Sequence, residues 1–129
     1  MSYQHILVAV DLSESSQTLL EKAAVQATQN HAKLSIVYVD VDHIISDPKA
    51  ERDYHQKLDN LASHCDYPIE NTLVVIGELH MKIAGLVKSE AVDLVICGHH
   101  HSWIDRIFSS VPKLANNVDA DLLVVYLPK

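Results

Sequence analysis

The stretch DLVICGHHHSWIDRIFSSV, residues Asp93–Val111, decides the fold. A short apolar run, Leu94–Cys97, closes on Gly98; three histidines follow, and a helical pattern opens beyond them. A strand that runs into a glycine turn and then a helix is where α/β proteins hold anionic ligands. The glycine brings the backbone close, and the helix N-terminus offers free N–H groups and a positive dipole end. Whether this cradle is still built to hold a phosphate is the question these residues pose.

The flanking segments repeat the same alternation. Upstream, His5–Val10 (HILVAV) is a short run of mostly branched apolar residues without a polar alternation, the signature of a strand buried on both faces. Asp11–Ser15 is a polar turn rich in helix-capping residues. From Ser16 to Asn30, Leu19, Leu20, Ala23, Ala24 and Ala27 recur at helical spacing. Leu34–Val39 reads as a second strand, residues 40–48 as a loop, and Lys49–His64 as an amphipathic helix. Thr72–Ile76 is a third strand ending at Gly77, and His80–Glu90 a third helix with Ile83, Leu86 and Val87 inward. A helix from about Ile104 to Asn117 follows the histidines, with Pro112 confined to its first turn or breaking it. Leu122–Leu127 (LLVVYL) closes the chain as a fifth strand. Strands and helices in this order predict an α/β fold, a doubly wound five-stranded parallel sheet with helices on both faces, in a single domain spanning residues 1–129.

Composition narrows the function. The formal charge of −7 opposes a nucleic-acid or anionic-membrane partner, because either needs clustered Lys and Arg. Basic residues such as Lys33, Arg52, Lys88 and Arg106 stand singly. The apolar runs are strand-sized, too short to span a bilayer. MSYQHILVAV has neither a charged n-region nor a cleavage site, so no signal peptide is expected. Cys65 and Cys97 are far apart, as reduced thiols are, and a cytoplasmic location is the expectation.

HILVAVDLSES near the start, VVIGEL at Val74–Leu79, DLVICGHHHSWIDRIFSS and the closing ADLLVVYLP together resemble the universal stress protein family, over essentially the whole chain. Gly-His-His after the fourth strand is similar to the branch of UspA type. ATP-binding members of the family carry Gly-x-x-Gly, a spacer, and Gly-Ser or Gly-Thr. Gly98 matches the first glycine, His101 stands at the second, and Ser109-Ser110 stands for Gly-Ser after a shorter spacer. A non-glycine residue resists positive φ, and an imidazole obstructs close approach of backbone to phosphate. The resemblance therefore implies the branch that does not bind ATP tightly, with no cofactor. Asp11 and Val39 match positions that line the adenosine pocket of ATP-binding members, so a nucleotide, if one binds, would meet Asp11, Val39, Gly98, Ser109 and Ser110. The segment between the second and third strands is shorter than in close relatives.

Each candidate also has an ordinary structural explanation. Adjacent histidines such as His99, His100 and His101 point in different directions, whereas metal sites draw ligands from separated positions, so no metal site is assigned. Asp11 lies at the topological switch point, where it either meets a ligand or caps the next helix. Ser109 and Ser110 are candidate phosphate acceptors or plain helix-start hydroxyls. Glu78 and His80 form an acid–base pair only if a pocket joins them, and Cys97 lacks a visible base.

The last strand concerns assembly. In the resembled family, last strands of two subunits pair antiparallel. Leu122, Leu123, Val124, Val125, Tyr126 and Leu127 are apolar on both faces, as such an interface needs. The expectation is a non-enzymatic stress-response protein acting as a homodimer, with heterodimers with paralogues open and its protein partner unknown. The alternatives are an ATP-binding switch with weak ATPase or autophosphorylation activity, and a His-rich metal-binding module.

Overall fold

The computed structural model describes residues 2–99 and 119–127. These form β1 (His5–Val10), α1 (Ser16–Asn30), β2 (Lys33–Asp40), α2 (Pro48–Ser63), β3 (Asn71–Ile76), α3 (Leu79–Ser89), β4 (Leu94–His99) and β5 (Asp121–Tyr126). The strands make one parallel sheet in the order β3-β2-β1-β4-β5. From β1 the chain moves outward through β2 to β3, then returns to β1's other side for β4 and β5. The order reverses between β1 and β4, which makes their C-terminal ends the switch point. The helix expected over residues 104–117 lies outside the described residues.

All six residues of β1 are buried, which explains its unbroken apolar run. Ile6, Val8 and Val10 face one layer, packing with Ile36, Leu94 and Ile96 of the neighbouring strands against α1 (Leu19, Leu20, Ala23) and α2 (Leu58). Leu7 and Ala9 face the other, with Val37, Val39 and Val95 under Leu79, Ile83 and Val87 of α3. Helices thus cover both faces.

Three features at the ends of the strands have physical causes. Residues 40–48, which show no period, are an organised turn: Asp40 is buried, and its carboxylate accepts from the Ile44 and Ile45 amides at 3.1 and 2.7 Å. Asp47 then caps α2 by accepting from Ala50 N at 2.8 Å, with Pro48 in the first turn. Second, β4 does not stop at Cys97 with a turn at Gly98. The strand runs to His99, and Gly98 pairs with Val125. A Cβ on Gly98 would lie 2.5 Å from Leu127 Cδ1 and 3.5 Å from Leu19 Cδ2, so the glycine makes room for Leu127. Third, β5 ends at Tyr126. Leu127, expected in the strand and its interface, is beyond it and buried in the α1-side core.

This contact yields a test. Gly98→Ala should destabilise the fold by about 1–3 kcal/mol through overpacking, and Leu127→Ala by about 2–4 kcal/mol through a cavity. In the double variant the methyl fills space that Leu127 vacates, so the two losses should be clearly less than additive in guanidinium unfolding. Additive losses would show that the two residues do not compete for one space.

Candidate functional site

The C-terminal ends of β1, β2 and β4 gather three of the expected site residues. Val10 is level with Tyr38 in the β1–β2 ladder, and Ala9 is level with Cys97 in the β1–β4 ladder. Asp11 and Val39 therefore follow on adjacent strands, with Gly98 one strand away on the other side. Each already has local work. Asp11 Oδ1 accepts from Ser13 N at 2.9 Å and from Ser16 Oγ at 3.3 Å, which shapes the β1–α1 turn in which Leu12 takes a φ of 62°. Val39 is buried in the α3-side core. Gly98 accommodates Leu127. His99 is the last residue of β4, and His100, His101, Ser109 and Ser110 lie outside the described residues.

The electrostatics of this end are acidic. The Tyr38 hydroxyl is pushed up to about 12, chiefly by burial, with further contributions from Tyr54, Asp40, Asp42 and Asp11. Its ring stacks on Tyr54 of α2 with centroids 5.1 Å apart and 6° between planes, and Lys57 Nζ sits 4.6 Å from the Tyr54 centroid. That stack ties the end of β2 to α2.

The nucleophile and acid–base candidates fare differently. Burial pushes the Cys97 thiol up to about 12, so it stays protonated and unreactive near neutral pH. Glu78 and His80 do meet, with Nε2 and Oε2 at 3.5 Å, because Gly77 at φ 145° turns the chain sharply into α3. Glu78 is 68% exposed, so the pair is a surface contact at a helix start. Among the described residues no three His, Cys, Asp or Glu side chains converge as metal ligands.

On β5, Leu122 and Val125 are half-buried, while Leu123, Val124 and Tyr126 are 38, 36 and 70% exposed. The strand is an edge of the sheet among the described residues. A further feature has no sequence signal at all: a groove of about 350 Å³ between the start of α1 and the second half of α2. Its residues come from two helices far apart in the chain, and on each they read as an ordinary solvated face.

Comparison with known proteins agrees with this architecture. The universal stress protein family matches residues 2–126. The chain is 36% identical to universal stress protein A of Escherichia coli strain K12, over 98% of this chain and 96% of that protein. It is 39% identical to a universal stress protein A homolog of Pasteurella multocida, covering 97% of each. Both alignments span 139 positions against 129 residues here, so the relatives carry residues this chain lacks. Among solved structures, a universal stress protein in complex with cAMP superposes with a TM-score of 0.67 at 25% identity over 98% of both chains. One from Archaeoglobus fulgidus gives 0.72 at 20% identity, over 97% of this chain and 95% of that one. Matched along nearly its whole length in sequence and in fold, the chain belongs to the universal stress protein family.

Proposed function

We propose that this universal stress protein acts as a cytoplasmic homodimer joined through β5, and that it works by association with a protein partner and not by turnover. The observation that carries the reading is the edge strand. Leu123, Val124 and Tyr126 present apolar surface beside a row of backbone groups, which invites pairing by a second strand. Antiparallel pairing of two β5 strands satisfies those groups and covers the side chains in one step. Leu127 is excluded from that contact, because its side chain is spent inside its own subunit. Pairing by backbone geometry is compatible with a paralogue as the second subunit.

A second reading is an adenine-nucleotide site at Asp11, Val39 and Gly98, with Ser109 and Ser110 as phosphate acceptors in a weak ATPase or self-phosphorylating cycle. The gathering of the first three at the switch point and the cAMP complex of a 25%-identical relative support it. Leu127 filling the space over Gly98 and the carboxylates around Tyr38 oppose it, since a polyphosphate needs open backbone and positive potential.

Three measurements test these readings. Sedimentation should give twice the 14.4 kDa chain mass. Val124→Lys should raise the dimer dissociation constant by roughly 100-fold with the circular dichroism unchanged, as expected for a charge placed in a small apolar contact. A wild-type monomer would reject the first reading. Calorimetric titration with ATP and Mg²⁺, ADP, AMP and cAMP should show no micromolar binding; heat at that level makes the second reading the working one, and His101→Gly should then strengthen it. With Ellman's reagent at pH 8, where about one Cys97 thiol in ten thousand is ionised, half-exposed Cys65 should react and Cys97 only after denaturation. Fast native reaction of Cys97 would reopen a nucleophilic role.

A further inference from the structure

The sheet has a second outer strand, β3, and no strand pairs with its outer side among the described residues. Its residues are half-buried or exposed throughout, whereas β1 is buried at every position. Gly77 N donates to the Asp40 carbonyl, and the ladder pairs Asn71–Ile76 one-to-one with Ser35–Asp40. Donors alternate along a parallel strand. Asn71, Leu73 and Val75 therefore turn their backbone groups to β2, and Thr72, Val74 and Ile76 turn theirs away from the sheet. Edges are commonly blunted by a charge, a proline or a bulge. NTLVVI carries no charge and no proline, and its pairing has no bulge.

Two further observations bear on what this edge receives. Outside β5, the exposed large apolar side chains among the described residues are Val25, Ile44, Ile76 and Met81, and three of these four belong to the end of β3. Ile76 is level with Asp40, whose carboxylate holds the Ile44 amide, and Met81 lies in the first turn of α3 just beyond Gly77. The second observation is charge. Exposed Glu70 and Glu78 bracket the strand, and exposed Asp59 of α2 accepts from Thr72 Oγ1 at 2.7 Å. His55 Nε2 joins that contact at 3.0 Å from Thr72 Oγ1, and Lys82 lays its stem against Gly77 at the Glu78 end. Carboxylates still prevail along the edge. A second copy fits it badly. In the two-fold antiparallel register that uses all three outward residues, Val74 faces Val74, and Glu70 of each copy lies opposite Glu78 of the other. Like charges directly opposed disfavour a strand pair. The two glutamates thus act against self-pairing and favour a segment with cationic ends.

We propose that the β3 edge binds an extended segment of a partner protein, a short apolar stretch flanked by Lys or Arg, as an added antiparallel strand. Thr72, Val74 and Ile76 supply the backbone bonds, Ile44, Ile76 and Met81 take an apolar side chain, and Glu70 and Glu78 take the basic flanks. This gives the partner of the association reading a place on the sheet. It rests on that reading, but not on pairing through β5.

The test is an NMR titration of the ¹⁵N-labelled full chain with the peptide Lys-Ser-Val-Thr-Val-Thr-Val-Ser-Lys. Saturable shifts should centre on the amides of residues 70–78, with a dissociation constant of roughly 0.1–1 mM. Proline in place of the peptide's central valine should abolish them, because it removes a donor and breaks the strand. Exchanging both peptide lysines for glutamate should weaken binding about tenfold or more, and the paired changes Glu70→Lys and Glu78→Lys in the protein should reverse that preference. The Val124→Lys variant should bind the peptide as the wild type does, so failure of the β5 dimer and failure of this site are read separately. Equal binding of the proline peptide would show charge attraction alone and overturn strand addition. Shifts at residues 121–126 in place of 70–78, or none at all, would overturn the site. Wild-type assemblies larger than a dimer, with the amides of Thr72, Val74 and Ile76 protected from hydrogen exchange, would give the edge to copies of this chain instead.

Discussion

Burial of β1 on both faces and along both edges is the constraint on which this structure depends. A strand flanked by two parallel neighbours and covered by helices above and below has no side on which to keep a polar residue. Its chemistry is therefore displaced to the two ends, and the neighbouring strands follow suit. At the N-terminal ends, polar groups lock register. The Asp93 carboxylate accepts from Gln4 and His5 amides, and the buried His5 ring donates from Nδ1 to the Glu90 carbonyl at 2.8 Å and places Nε2 2.7 Å from Ser35 Oγ. Tyr3 donates to Asp121 at 2.6 Å, which anchors the start of β5 to the start of β1. At the C-terminal ends, Asp11 and Asp40 build the turns that leave the sheet. The first set holds the fold together and the second frames what a ligand would meet.

Much of this is legible in the sequence, and the reason is the same constraint. Continuous apolar runs such as HILVAV and LSIVYV declare strands buried on both faces, and the helical spacing of Leu19, Leu20, Ala23 and Ala27 declares what covers them. Asp11, Val39 and Gly98 are singled out together through the resemblance to the universal stress protein family, and the strand ladders bring their positions to one end of the sheet. What could not be read was what each end residue does with its atoms. Asp40 looks like one more polar loop residue, yet it is buried and organises residues 41–45 through two amide contacts with no periodic signature. His5 reads as the polar lip of an apolar run, and its bonds to Ser35 and Glu90 join residues far apart in the chain. The groove at Lys57 and His64 is of the same kind: it depends on how two solvated helix faces are set side by side, which hydrophobic patterning does not encode.

Gly98 shows how far one residue can mislead and still be informative. A glycine after an apolar run suggests a turn with backbone open to a phosphate. Here the same absence of a side chain serves packing: the strand continues, and Leu127 occupies the space beside it. Because Leu127 directly follows β5, that contact fixes where the edge strand ends and turns its last leucine inward, leaving Tyr126 as the exposed terminal residue of the strand. A ligand that needed the backbone on this side of Gly98 would have to displace Leu127 and loosen the end of β5. Phosphate approach at the switch point and a well-seated edge strand thus compete for one volume. In this chain the leucine holds it.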